Sequence, residues 1–237
     1  LKIYNTKEAN FFRNKLEESE KKLGKLHYIV KTYTIMKWVY EIATNSILLD
    51  FVEDIIGKNI LLYNATFIIK EPNTKTHVSW HQDLTYWGFD NNEKQVSAWL
   101  ALSNANDQSG CMQMIPGSHK NGFFEHYSTE DKNNVLSRGQ TVKGIDINNA
   151  VSCPLKPGEV SFHHGLTLHA SQPNFSNDRR IGLNFQFIST DMKQLKSKND
   201  SAICIRGEDI YKNFKTDKIA KDDFDYDAYQ HLLELNN

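Results

Sequence analysis

The sequence predicts a mainly β fold of sandwich or barrel type with flanking helices, and three observations predict it. Short apolar or alternating runs crowd residues 60–188. Turn signals such as Glu71-Pro72-Asn73, Ile115-Pro116-Gly117 and Lys156-Pro157-Gly158-Glu159 separate them. Helical periodicity is read only before residue 58 and after residue 228. With 39% hydrophobic and 24% charged residues among 237, the chain can bury a substantial core. It is read as one domain: a helical buttress over 1–58, a β core over 59–190 and a C-terminal extension over 191–237.

In chain order, residues 6–24 read as a charged amphipathic helix, with Thr6 as N-cap, Ala9, Phe12 and Leu16 at helical spacing, and Gly24 at the exit. Residues 36–56 repeat the 3.6-residue period as a second helical region, which Gly57 stops. Strands are expected at 60–63, 66–70, 96–102, 113–115, 159–163 and 181–188. The polar, Asn-rich stretch 123–149 reads as a loop or irregular insertion. Beyond residue 191 the chain turns Lys- and Asp-rich, with Tyr211, Phe214, Phe224, Tyr226 and Tyr229 either lining a pocket or pinning a tail. A helix-like stretch closes it at 229–235.

Lys and Arg number 28 against 29 Asp and Glu, so no net field favours nucleic acid or an anionic membrane, and a small-molecule partner fits better. Cys111, Cys153 and Cys204 are widely spaced and form no Cys-x-x-Cys pair, so they read as reduced thiols in a cytoplasmic protein. The apolar run at 47–52 is too short to span a bilayer or act as a signal peptide. The chain opens without Met inside a helical pattern, which leaves upstream residues open. Oligomeric state is not legible.

The chemistry concentrates in His81-Gln82-Asp83, followed downstream by His169 and Arg180. On a strand or its end, the period of two would place His81 and Asp83 on one face with Gln82 turned away. With His169 arriving from another strand, two imidazoles and a carboxylate would hold Fe(II) and leave positions open. The planar guanidinium of Arg180, at a strand start, suits bidentate capture of a carboxylate such as the distal group of a 2-oxo dicarboxylate, and Ser171 offers a hydroxyl there. Thr85, Tyr86 and Trp87 follow the motif at once and are the substrate-side candidates, with core packing as the other reading of both aromatics. Lys70 and Asn64, on preceding strands, are candidate donors to an anionic substrate or cosubstrate, with a solvent-facing Lys as the alternative. His163 and His164 face opposite ways on a strand, so at most one of them points inward as a rival to His169. His119 and His126 read as turn and surface residues, and Arg179 as an exposed neighbour of Arg180. Arg206-Gly207-Glu208-Asp209 reads as either a substrate contact or a local ion pair.

In their order and spacing, Val78-Ser79-Trp80-His81-Gln82-Asp83-Leu84-Thr85-Tyr86-Trp87-Gly88, Gly110-Cys111-Met112 and Pro116-Gly117-Ser118-His119 resemble the phytanoyl-CoA dioxygenase family. So do Pro157-Gly158-Glu159, His163-His164-Gly165, His169-Ala170-Ser171, Pro173-Asn174 and Arg179-Arg180-Ile181-Gly182. The resemblance covers nearly the whole chain and points to the bacterial small-molecule branch of these Fe(II)- and 2-oxoglutarate-dependent oxygenases. It implies a double-stranded β-helix, or jelly roll, over the β core. It implies iron on His81, Asp83 and His169, the distal carboxylate of 2-oxoglutarate on Arg180, and Ser171, Gln82 and Trp99 shaping the cosubstrate pocket. The implied reaction uses dioxygen and 2-oxoglutarate to hydroxylate an unactivated C–H bond of a small metabolite, releasing succinate and carbon dioxide. Asp83 occupies the position that halogenating members leave to halide, which favours hydroxylation. Two other classes stand beside this reading: a metal-binding jelly-roll module that only binds ligand, and a cupin-type enzyme independent of 2-oxoglutarate.

Overall fold

The structure, a computed structural model, describes residues 1–136 and 139–236. Three helices come first: α1 (Thr6–Leu23), α2 (Lys37–Ala43) and α3 (Ser46–Ile56). The cap of α1 lies one residue before the expected Thr6. Asn5 Oδ1 accepts the Lys7 and Glu8 amides, and the Glu8 carboxylate accepts the Asn5 amide, closing a capping box. The single helical region expected over 36–56 is divided because Asn45 starts α3 afresh, its Oδ1 accepting the Leu48 amide.

The rest of the chain forms β1 (Ile60–Lys70), β2 (Val78–His81), α4 (Leu84–Trp87), β3 (Gln95–Ala101), β4 (Met112–Met114), β5 (His126–Ser128) and β6 (Gln140–Val142). It continues through β7 (Val151–Cys153), β8 (Val160–His163), β9 (His169–Ser171), β10 (Arg180–Ser189), β11 (Ser201–Arg206), β12 (Lys215–Thr216) and α5 (Tyr226–Asn236). A six-stranded sheet has the order β12-β11-β1-β10-β3-β8, a four-stranded sheet the order β2-β9-β4-β7, and β5 pairs with β6 alone.

The runs 60–63 and 66–70 are one strand. Asn64 interrupts the apolar pattern without breaking the backbone, because its Oδ1 accepts the Lys31 amide. The polar stretch 123–149 is more than a loop. It carries the β5–β6 hairpin and is tied to the end of β2, where Ser79 donates to the Gln140 carbonyl and Asn134 donates to Ser79 Oγ. The C-terminal extension contributes β11, paired antiparallel with β1 through Leu61–Cys204 and Leu62–Ile203.

The chain divides into two compact units. The first comprises Leu1–Arg13, Ile68–Gly88 and Trp99–Gly182, with Trp99, Ala101, Ala105, Cys111 and Met112 packed together inside it. The second holds the remaining described residues. There α2 sets Trp38 against Phe67, and Phe214 packs against Tyr63 and Phe89, so this C-terminal aromatic pins its segment. A buried polar cluster in the same unit joins Lys31 and Tyr33 to Asp217, and Tyr63 to Asp200. No described helix is long and apolar enough to cross a membrane.

Candidate active site

Sheet register builds the first half of the site. His81 ends β2, His169 opens β9, and the two are direct cross-strand partners with ring centroids 4.0 Å apart. Asp83 reaches them by another route than strand alternation. Its backbone is already helical (φ −59°, ψ −44°), so the turn into α4 swings the carboxylate back toward the imidazoles. Asp83 Oδ1 lies 3.4 Å from His81 Nε2 and 3.7 Å from His169 Nε2, and the ligand atoms of the three residues all lie within 4.8 Å of one another.

Each imidazole is oriented from behind. His81 Nδ1 lies 2.9 Å from the Ser79 carbonyl, and His169 Nδ1 lies 2.9 Å from the Thr167 carbonyl. A carbonyl can only accept, so Nδ1 carries the proton and the Nε2 lone pair faces inward. Burial, aided by His81, pushes His169 down to about 3, which keeps it neutral. Burial alone would raise the Asp83 carboxyl, but the hydrogen bond offered by His163 is among the effects that outweigh it and hold the group well below the usual carboxylate range. Neutral imidazoles with an ionised carboxylate are the donor set that suits Fe(II) and leaves coordination positions open.

A second group gathers in the same unit. Arg180 opens β10 almost wholly buried, and the next amide, of Ile181, donates to Ser103 Oγ at 2.7 Å. Its guanidinium lies 5.3 Å from the centre of the Trp99 ring. That indole needs Gly182, where a Cβ would stand 1.8 Å from Trp99 Cζ2. Lys70 Nζ donates to Ser171 Oγ at 2.7 Å, to the Ser171 carbonyl at 3.0 Å and to the Gln172 carbonyl. Burial, then the charge of Arg180, pushes the Lys70 ammonium down to about 6. A desolvated guanidinium beside an amine that an added anion would help to protonate fits an anionic ligand. Lys70, read with the substrate candidates, is thus placed with Ser171 and Arg180. Asn174, unmarked as functional in the sequence, holds it from behind by donating to the Lys70 carbonyl at 3.1 Å.

Gln82 turns away from this group. Its Nε2 donates to the Leu166 and Gly122 carbonyls at 2.7 and 2.9 Å, and its Oε1 accepts the Phe124 amide at 2.8 Å, so it pins the loop before β5 to the metal motif. His126, read as a surface residue, is built into that motif. Its Nε2 accepts the Gln82 amide at 3.0 Å and its ring meets the edge of Tyr86. Nothing in the polar stretch around His126 announces this, because the contact arises only when the hairpin folds back.

Thr85, Tyr86 and Trp87 form the half-buried turn α4 directly behind Asp83. His163 faces inward from β8, with Nε2 3.4 Å from Asp83 Oδ2, while His164 points toward His119. Asn64 lies in the second unit, engaged by the Lys31 amide. Arg179 makes a bidentate pair with Glu71 at 3.0 and 3.1 Å, and Arg206 pairs with Asp50 and Glu53, so the Arg206 segment carries a local ion pair.

The fold is the cupin-like double-stranded β-helix of the non-haem oxygenases. The structure aligns with apo ThoJ, a non-heme monooxygenase, at a TM-score of 0.86 over 98% of this chain and 88% of that one, with 24% identity. It aligns with CytC3 bearing Fe(II) and alpha-ketoglutarate at 0.68 over 95% and 90%, with 18% identity. Within that class the chain belongs to the Phytanoyl-CoA dioxygenase (PhyH) family, whose profile matches residues 6–182. A probable alpha-ketoglutarate-dependent hypophosphite dioxygenase of Stutzerimonas stutzeri is 26% identical over 75% of this chain and 64% of its own length. The chain spans less than two thirds of the first curated relatives it matches.

Proposed function

We propose that this protein is an Fe(II)/2-oxoglutarate-dependent dioxygenase that hydroxylates an unactivated C–H bond of a small metabolite, with release of succinate and carbon dioxide. The convergence of His81, Asp83 and His169 carries the reading, since it supplies an open face of donors suited to Fe(II). When bound, the iron and 2-oxoglutarate supply the activation of dioxygen. The chain's own residues do the rest. His81, Asp83 and His169 hold the metal on one side. Arg180 grips the distal carboxylate, Lys70 and Ser171 add donors beside it, and Trp99 walls the pocket. Thr85, Tyr86 and Trp87 border the substrate side, where Tyr86 and Trp87 offer flat apolar surface.

Asp83 fills the third metal position with a carboxylate, which favours hydroxylation over halide transfer. The three free cysteines support a reducing, cytoplasmic setting, and the 237 residues are read as one oxygenase domain acting on a small molecule. The test is an anaerobic titration of the protein with Fe(II) and 2-oxoglutarate, following the weak visible band of the chelate in the parent chain and in Arg180→Ala. A band that needs more 2-oxoglutarate in the variant supports the reading. Bound iron without a band moves the assignment to a binding module or to a 2-oxoglutarate-independent cupin.

A further inference from the structure

We propose that His163 is a positioning residue for the metal centre, donating its Nε2–H to the outer oxygen of Asp83 so that the carboxylate presents a single oxygen to the metal. The inference rests on the reading of His81, Asp83 and His169 as ligands.

Three observations carry it. First, the two Asp83 oxygens face different partners: Oδ1 faces His81 and His169, and Oδ2 faces His163 Nε2 at 3.4 Å. Second, the backs of the rings differ. His81 and His169 each have a backbone carbonyl 2.9 Å from Nδ1, which aims an Nε2 lone pair at the metal position. Neither His163 nitrogen makes a formed hydrogen bond among the described residues, but Nε2 has Asp83 Oδ2 at 3.4 Å as a near acceptor. A buried N–H without an acceptor is costly, so the His163 proton belongs on Nε2, where Asp83 Oδ2 is within reach. That tautomer makes His163 a donor to Asp83 and a poor metal ligand. Third, His163 comes from β8 of the six-stranded sheet, whereas His81 and His169 lie on the four-stranded sheet. The carboxylate is thus held from a second rigid element.

At 3.4 Å the contact is longer than a formed hydrogen bond, and such contacts shorten when a site is loaded. A donor on the outer oxygen holds that oxygen turned away from the metal position, which favours Asp83 taking one coordination position and leaving the next one open.

The experiment is a Co(II) titration of the metal-free full chain, read by the visible ligand-field spectrum, for the parent, His163→Leu, His163→Met, His163→Gln and His169→Ala, with circular dichroism to show that each is folded. Loss of the donor in His163→Leu or His163→Met should weaken Co(II) binding about 10–100-fold and shift the spectrum. His163→Gln, which keeps an N–H donor, should recover both. Binding and spectrum unchanged in His163→Leu and His163→Met would overturn the inference, as would a His163→Gln chain no better than His163→Met. If His163→Leu fails to fold, the comparison of Met with Gln decides. A parent chain that binds no Co(II), or a His169→Ala chain that binds it as tightly as the parent, would instead remove the metal centre and this inference with it.

Discussion

Lys70 Nζ donates to Ser171 Oγ at 2.7 Å, joining the end of β1 to the end of β9 within the field of the buried Arg180. An ammonium enclosed beside a guanidinium is poised to be neutral without an anion and charged with one. This arrangement sets two expectations about pH.

Burial and the charge of Arg180 hold Lys70 down at about 6, whereas the unfolded chain keeps its ordinary lysine value. Between the two the unfolded state holds the extra proton, so this group makes stability rise as pH climbs from about 6, by at most about 1.4 kcal/mol per pH unit. Urea unfolding at several pH values should show a flatter slope for Lys70→Met than for the parent, and equal slopes would refute the assignment.

Binding of 2-oxoglutarate should raise the Lys70 value, so the complex takes up protons at pH 7–8. Calorimetry in two buffers of different ionisation enthalpy should show that uptake in the parent, and Lys70→Met should lose it.

If Arg180 grips the distal carboxylate as proposed, Arg180→Ala loses a charged hydrogen-bonding partner worth about 1.5–3 kcal/mol, so the 2-oxoglutarate requirement should rise by roughly 10–100-fold. Asp83→Ala should abolish succinate release altogether. Succinate measured over a range of 2-oxoglutarate concentrations separates the two effects, and full turnover by Asp83→Ala would remove the iron assignment.

Gly182→Ala should displace Trp99, since the added Cβ would stand 1.8 Å from Cζ2. Overpacking of this kind costs about 1–3 kcal/mol, and the shifted indole lies against Arg180. Both a lower melting midpoint and a higher 2-oxoglutarate requirement are expected; an unchanged midpoint would show that the ring yields freely.

Gln82→Leu would strand the Leu166 and Gly122 carbonyls and the Phe124 amide. Unfolding should become easier by at least about 2 kcal/mol. If Gln82 also served the cosubstrate, binding of 2-oxoglutarate by the folded variant would fall as well, so a melt and a titration together separate the two roles.

What depends on short-range pattern was legible along the chain. Alternating apolar runs between Pro and Gly turns marked β1, β3, β8 and β10, although Asn64 hid the continuity of β1. The residue types and order of His81, Asp83 and His169 were enough to suggest a metal centre, because a metal's preference for imidazole and carboxylate is local chemistry. Tertiary structure alone decided what depends on register and long-range return of the chain. Pairing of β2 with β9 brought His81 opposite His169, and the turn into α4, against the expected strand alternation, brought Asp83 to them. Folding of a polar hairpin against the motif gave His126 a partner, and burial set Lys70 against Ser171 in the field of Arg180. Hydrogen bonds and desolvation act over a few ångströms in space, and residues 163 and 83 become neighbours only when β8 and the turn after β2 fold together.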